Sequence, residues 1–272
     1  MITIVSDTTS SIPTETAEGL GIPILPQIII FGDQSYKDDY EITSEEFLIR
    51  LKSSSTLPKT AAPPPALYYP IYEKYARGTD TVIVLTPSSD VSGTYRSAQV
   101  AAGDYPEADI RVVDTRTVGS GLGSIVLQAH QWVEQGLDAD SIVERIKSLA
   151  ARQIVYFVVD TLEYLHKGGR IGGAKMFVGS ILQVKPILQL IDGHIEPAES
   201  QRTKTRAMAR LKELVYKSCP RGHQAQLTIM QADVETEANA LALEMGSHLG
   251  LSTVEVFKLP PAIMVHAGPG VI

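Results

Sequence analysis

A single cysteine, Cys219, stands in a chain of 272 residues. No internal disulfide can form and a cysteine-based metal cluster is excluded, which suits a reducing cytoplasm. The six histidines are scattered without the spacing of metal ligands. Long apolar runs are missing too: no stretch approaches the ~20 residues needed to cross a bilayer. The opening Met1-Ile2-Thr3-Ile4-Val5-Ser6-Asp7 has no basic segment leading into an apolar one. The expectation is a soluble cytoplasmic protein without integral membrane association. Positive charge is in deficit, with 24 Lys+Arg against 31 Asp+Glu and a net charge of −7. A nucleic-acid partner is disfavoured, because phosphate neutralisation needs a basic surface. The deficit is uneven. Residues 151–217 hold 11 Lys+Arg against 6 Asp+Glu, so one region could face a phosphate or an acidic partner.

What is present is ordinary globular material. Apolar residues make up 44% and charged residues 20%, enough for a sizeable core. Domains run to about 100–200 residues, so two are expected, with a boundary at 152/153. Ile2–Ser6 reads as a strand ending in Asp7 and a Thr/Ser cluster, and Pro13 opens a helix. Ile22–Phe31 reads as a second buried strand, followed by a hairpin turn at Gly32-Asp33. Thr43 and Glu46 have capping-box spacing, predicting a helix over 44–52. Leu57 to Pro65 carries four prolines, which remove donors and restrict their neighbours; a stiff, extended loop is expected. Thr81–Leu85 and Ile110–Val113 read as further strands, each followed by a helix. The second of these helices places Leu122, Ile125, Val126, Ala129 and Val133 at helical spacing.

Near Ala150 the rhythm restarts, without repeating the first half. A strand over 154–159 leads through Asp160 to a helix ending at Lys167, and a further helix is expected around 174–182. Asp192-Gly193 between apolar runs signals a hairpin. Helices near 203–217 and 235–250 alternate with strands at 227–231, 253–257 and 263–265. The fold class is α/β: a largely parallel sheet with flanking helices in the first domain and a second, smaller α/β domain.

In open α/β sheets ligands collect beyond the carboxyl ends of strands. The polar residues expected there are Asp7-Thr8-Thr9-Ser10, Thr60, Ser88-Ser89, Ser92-Gly93-Thr94 and His266. Hydroxyls, glycine-freed backbone N–H groups and a helix N-terminus suit a carboxylate or phosphate and suit a metal poorly. Read singly, Ser92 is more often an N-cap and Thr60 a loop threonine. Tyr68, Tyr72 and Tyr75 share a helical face and read as packing, as does Trp132.

Taken together, Lys59-Thr60, Ser88-Ser89-x-x-Ser92-Gly93-Thr94-Tyr95, Asp160-Thr161-Leu162-Glu163-Tyr164-Leu165, Lys167-Gly168-Gly169-Arg170-Ile171-Gly172, Val184-Lys185-Pro186-Ile187-Leu188 and His266-Ala267-Gly268-Pro269-Gly270 are a composite pattern. It strongly resembles the DegV family of bacterial fatty-acid-binding proteins, over nearly the whole chain. The resemblance implies a two-domain α/β protein whose N-terminal domain encloses an acyl chain such as palmitate, with the carboxylate at the domain junction and no other cofactor. By motif match Thr60 and Ser92 contact the carboxylate, and Gly93 and Thr94 complete that loop. Family members also carry acyl chains for a separate fatty acid kinase, and Arg170 and His266 match positions linked to the head group and the kinase contact. The resemblance therefore implies a non-catalytic carrier.

Two rivals are weaker. A hydrolase could be drawn from Ser92 and His266, but no G-x-S-x-G elbow surrounds the serine and no acidic partner for the histidine is evident. A nucleotide-binding enzyme would rest on Gly119-Ser120-Gly121-Leu122-Gly123, whose spacing is not G-x-G-x-x-G and whose glycines more often allow close helix packing.

Overall fold

The computed structural model describes residues 1–177, 184–222 and 225–272. These divide into two compact units, Met1–Thr43 with Pro58–Gln153, and Ser44–Leu57 with Ile154–Ile272. The short Ser44–Leu57 segment thus groups with the second unit rather than with its sequence neighbours.

The chain begins with β1 (Ile2–Asp7), α1 (Thr14–Gly19), β2 (Ile24–Leu25), β3 (Ile28–Phe31), β4 (Gln34–Lys37), α2 (Ser44–Ser53) and β5 (Lys59–Ala61). It continues with α3 (Tyr69–Tyr75), β6 (Thr81–Thr86), α4 (Thr94–Gly103), β7 (Asp109–Asp114), α5 (Ser120–Glu134) and α6 (Ala139–Ala150). In the first unit the main sheet has the order β2-β1-β6-β7, every pair parallel. Its strands are rich in Ile, Val and Thr, which suit a pleat covered on both faces. Successive side chains alternate between those faces. Ile4, Ile83, Leu85 and Val113 join α5 and α6 in one core through Leu122, Ile125, Ile142 and Ile146. Val5, Val82 and Val84 turn the other way, onto Tyr68, Tyr72, Ala98 and Ala101 of the α3–α4 side. Each fully buried Leu or Ile contributes about 1.5–3 kcal/mol.

The α5 glycines bring that helix close to the segment that follows β1 and to its own leading turn. A Cβ at Gly123 would stand 2.4 Å from the Ser10 carbonyl oxygen, and one at Gly121 would stand 2.8 Å from the Thr117 hydroxyl. Close packing, as read from the sequence, is what these glycines serve.

A second sheet in this unit, β4-β3-β5, is antiparallel. The β3–β4 hairpin falls at the expected turn. The expected loop over 57–65 is corrected here: Lys59, Thr60 and Ala61 pair with Ile30, Ile29 and Ile28. Pro58 and Pro63 flank this edge strand without entering it, so its donors survive. Ile22–Phe31 is likewise two short strands, broken around Pro26-Gln27.

The second unit contains β8 (Val155–Val158), α7 (Glu163–Lys167), β9 (Lys185–Ile191), β10 (His194–Gln201), α8 (Lys204–Ser218), β11 (Thr228–Gln231), α9 (Glu235–Leu249), β12 (Glu255–Lys258) and α10 (Pro261–Ala267). Strands β10-β9-β8 form an antiparallel sheet and β11-β12 a parallel pair. Asp192 and Gly193 both take positive φ, 47° and 83°, as a tight hairpin between β9 and β10 requires. Helix α8 covers the first sheet through Ala207 and Leu211, and α9 covers the pair through Ala238, Leu241 and Met245. Most of the helix expected around 174–182 lies outside the described residues; Gly172–Phe177 forms a 3-10 helix. The strand expected at Ile263–Val265 is instead part of α10, which Pro261 opens at its first position.

Candidate functional site

In the first unit the ends of β1 and β6 deliver the expected hydroxyls. Asp7, 1% exposed, is the last residue of β1. Its Oδ1 accepts hydrogen bonds from the Thr9 amide at 2.7 Å and the Thr9 hydroxyl at 2.5 Å. Beyond β6, the Ser88 amide donates to Thr117 O and the Ser92 amide to Ser88 O. Ser92 is not the N-cap of α4; Gly93 holds that position and supplies no side-chain bond. Instead Ser92 Oγ lies 2.9 Å from Thr94 Oγ1 and accepts from the Thr94 amide at 3.3 Å.

Thr94 is buried, and Gln27 Nε2 donates to its Oγ1 at 2.8 Å. Gly93 neighbours Ala62, since a Cβ there would stand 3.7 Å from the Ala62 Cβ. Ser97 Oγ donates to Pro63 O at 2.5 Å, tying α4 to the same segment. The Ser92–Thr94 loop and the strand that carries Thr60 are therefore adjacent. The N-terminal turn of α4 adds a positive dipole end, so the cluster is suited to an anionic oxygen group.

Burial pushes the Asp7 carboxyl up to about 6, against the lowering effect of the hydrogen bonds from Thr9. Its Oδ2 makes no hydrogen bond among the described residues. Among the described residues the Tyr68 hydroxyl, too, is buried without a hydrogen-bond partner. Burial first, then the Asp7 and Tyr72 charges, raise its pKa.

In the second unit Arg170 and His266 are neighbours. Arg170 donates to Gly168 O at 2.7 Å. The His266 ring lies so close to Gly168 that a Cβ there would stand 2.3 Å from Nδ1. Burial and then the Arg170 charge push His266 down to about 4, so its imidazole is neutral near pH 7. His266 sits on α10, not after a strand as expected. The Gly268-Pro269-Gly270 turn packs on the Asp160-to-Leu165 segment, because side chains at Gly268 and Gly270 would strike the Tyr164 ring and the Asp160 carboxylate. These two segments of the composite motif thus pack against each other.

Part of the basic excess of residues 151–217 is spent internally. Both Arg210 Nε and Nη2 meet Glu199 at 2.7 Å, while Lys212 pairs with Glu244 and Lys204 with Asp160 and Glu237. A cleft of about 470 Å³ in the second unit is lined by Glu45, Asp233, Glu235, Glu237 and Lys258, among others. Those charges make it unsuited to a hydrocarbon tail. Among the described residues no group of three or more His, Cys, Asp or Glu side chains could hold a metal, and no helix is long and apolar enough to cross a membrane.

Gln27 and Asp38 were not singled out by sequence reasoning. Gln27 was hidden inside an apolar run, although a lone Pro-Gln pair within five isoleucines is a usable signal. Asp38 is fully buried and accepts from the Thr8 hydroxyl at 2.8 Å. Among the described residues the hydrogen bonds of Ser92 Oγ go to the Thr94 hydroxyl and amide, neither of which is a base that would activate a nucleophile.

A parallel four-stranded sheet with a hydroxyl cluster at its carboxyl edge, joined to a second α/β unit, defines a two-unit α/β protein. The chain belongs to the DegV family: the family model described as an uncharacterised protein of the DegV family matches residues 1–272. A DegV domain-containing protein of Streptomyces coelicolor is 35% identical over 273 residues, covering 100% of this chain and 96% of the relative. The fatty-acid-binding DegV family protein of Thermus thermophilus superposes with a TM-score of 0.87 at 31% identity, covering 99% of this chain and 96% of that one. DegV of Bacillus subtilis, a fatty acid binding protein, does so with a TM-score of 0.87 at 29% identity and the same coverage.

Proposed function

We propose that this protein binds a long-chain fatty acid, with its carboxylate at Thr60, Ser92, Gly93 and Thr94 and its tail buried, and that it carries the acid without converting it. The observation that carries this reading is the whole-chain likeness, at 31% identity and a TM-score of 0.87, to a fatty-acid-binding protein. The local chemistry agrees. Two hydroxyls, a glycine N-cap and a helix dipole offer donors to an anion, and Ser92 lacks a base. We assign Arg170 and His266, on the second unit, to head-group handling or to recognition of a separate fatty acid kinase that phosphorylates the carried acid, in a cytoplasmic setting.

Magnitudes divide the labour. Burying about 15 methylenes at roughly 0.8 kcal/mol each supplies on the order of 10 kcal/mol as an upper limit, whereas each hydrogen bond to a charged group supplies about 1.5–3 kcal/mol. The tail sets affinity and the hydroxyls set direction. Ser92→Ala or Thr60→Ala is therefore expected to weaken acid binding by about tenfold, measured by displacement of a fluorescent fatty acid. Equal affinity for palmitate and its methyl ester would sink the assignment. Mass spectrometry of an organic extract from natively purified protein identifies the tail.

A further inference from the structure

The carboxyl ends of the second unit's parallel pair open on one cleft. Gln231 and Lys258 close β11 and β12 side by side in register, and ligands of open α/β sheets collect beyond such ends. The cleft holds about 470 Å³, within the roughly 300–1,000 Å³ typical of small-molecule sites. Helix α9 begins there at Glu235, and its N-cap, Val234, offers no side-chain bond. The first-turn amides of Glu235, Thr236 and Glu237 have no hydrogen-bond partner among the described residues. The aligned peptide dipoles of this 15-residue helix add a positive end.

A buried side chain serves the same place. Gln231 is 3% exposed, and its Oε1 accepts from the Val234 amide at 3.0 Å. That bond holds the carboxamide against the start of α9, where the side chain lines the cleft. Among the described residues Gln231 Nε2 donates to no acceptor. A buried donor left unmatched is costly, so this one is aimed at a ligand. The charges around it narrow the choice. Glu45, Asp233, Glu235 and Glu237 line the cleft against a single lysine, Lys258. Three of these carboxylates have partners already: Glu45 pairs with Lys258 at 2.5 Å, Asp233 with Lys52 at 2.5 Å and Glu237 with Lys204 at 3.5 Å. Glu235, the first residue of α9, has no ion pair among the described residues.

A phosphate or other multiply charged anion would meet too many carboxylates here, and a bare cation would leave Gln231 Nε2 and the α9 amides unused. The ligand that satisfies both halves carries one anionic acceptor beside one cationic donor. We propose that the cleft binds a free α-amino acid, its carboxylate accepting from Gln231 Nε2 and the first-turn amides of α9 and its ammonium group pairing with Glu235. The two charges of an α-amino acid sit on neighbouring atoms, as the free amides and the Glu235 carboxylate sit on one helical turn. The site lies wholly within the second unit and is independent of the fatty acid reading, which rests on hydroxyls of the first.

The test is a thermal-shift screen of the full chain with each of the common free L-amino acids at millimolar concentration, followed by calorimetry of the strongest binder. One site per chain is expected. The N-acetyl derivative and the methyl ester of that amino acid, which remove the ammonium and the carboxylate in turn, should each bind at least about tenfold more weakly. Gln231→Glu keeps the acceptor for the Val234 amide and replaces the free donor by an acceptor, and Glu235→Gln removes the partner of the ammonium; each should weaken binding about tenfold or more. Glu235 is exposed and its variant carries the test if Gln231→Glu does not melt like the wild type. No binding by any amino acid, equal binding of the N-acetyl derivative or the ester, or full affinity in Glu235→Gln overturns the proposal. Displacement of a fluorescent fatty acid from the same samples reads the first unit separately, so a failure there leaves this result untouched.

Discussion

Two residues, Asp7 and His266, are ionisable groups whose burial favours the neutral form, and their effects on stability have opposite signs. The folded Asp7 pKa of about 6 lies above its ordinary 3.8. Between those values the folded state keeps a proton that the unfolded chain releases, so the contribution is full below pH 3.8 and is lost as pH rises through 6. Asp7→Asn is accordingly expected to stabilise the free protein at pH 8 by up to about 3 kcal/mol, two units at roughly 1.4 kcal/mol each, and to be near neutral at pH 4. Urea midpoints at the two pH values measure this. The folded His266 pKa of about 4 lies below the ordinary 6.5. There the unfolded chain gains the proton first, so stability falls as pH drops from 6.5 towards 4. The windows overlap between pH 4 and 6 with opposing slopes. The wild type should therefore show a flatter stability profile there than either Asp7→Asn or His266→Gln, whereas a profile as steep as theirs would remove one of the two shifts.

At the scale of elements, glycines separate tight from open helix surfaces. Gly123→Ala places a methyl 2.4 Å from a backbone oxygen, whereas Gly103, at the end of α4, has nothing within 4 Å. The first substitution is expected to destabilise by about 1–3 kcal/mol through overpacking, and the second to be neutral or slightly stabilising through helix propensity. Thermal melts of the two variants decide the matter, and equal melting temperatures would contradict close packing of α5. The role of these glycines was legible from sequence, as were β1, β6 and β7, because β-branched runs ending in Asp or Thr state both the strand and the loop that follows. The β9–β10 hairpin was legible from Asp192-Gly193 alone. What was not legible depended on partners. Lys59–Ala61 is a strand only because β3 offers an edge, and its flanking prolines masked it. The short run around Ile263–Val265 fits strand or helix equally by apolar content; Pro260-Pro261 was the neglected helix signal. Helix α6, with Asp138 accepting from the Ser141 amide at 2.9 Å and Ile142 and Ile146 fully buried, was readable and went unread. Within the candidate site the hydroxyls were visible, but the Gln27–Thr94 hydrogen bond was not, since it joins segments distant in sequence.

For the whole molecule the decisive fact is that the chain leaves its first unit at Thr43 and returns at Pro58. The intervening helix α2 groups with the second unit, to which a hydrogen bond and two ion pairs tie it. Phe47 is fully buried and Leu51 is 4% exposed. Ser44 Oγ donates to Leu259 O at 3.1 Å, Lys258 pairs with Glu45, and Lys52 pairs with Asp233. The ion pairs are exposed and contribute little; the aromatic anchor contributes most, with a Phe→Ala truncation costing about 3–5 kcal/mol in a core. A fragment cut at the apparent linker, residues 154–272, should therefore expose the surface that Phe47 and Leu51 cover. It is expected to bind a hydrophobic dye and to melt below the full chain. Fusing residues 44–57 to it through a flexible linker should restore a cooperative transition, and the same fusion carrying Phe47→Ala should not. If the bare 154–272 fragment melts as cooperatively and as high as the fusion, α2 is a passenger on the second unit, and the linear boundary near residue 153 is the physical one.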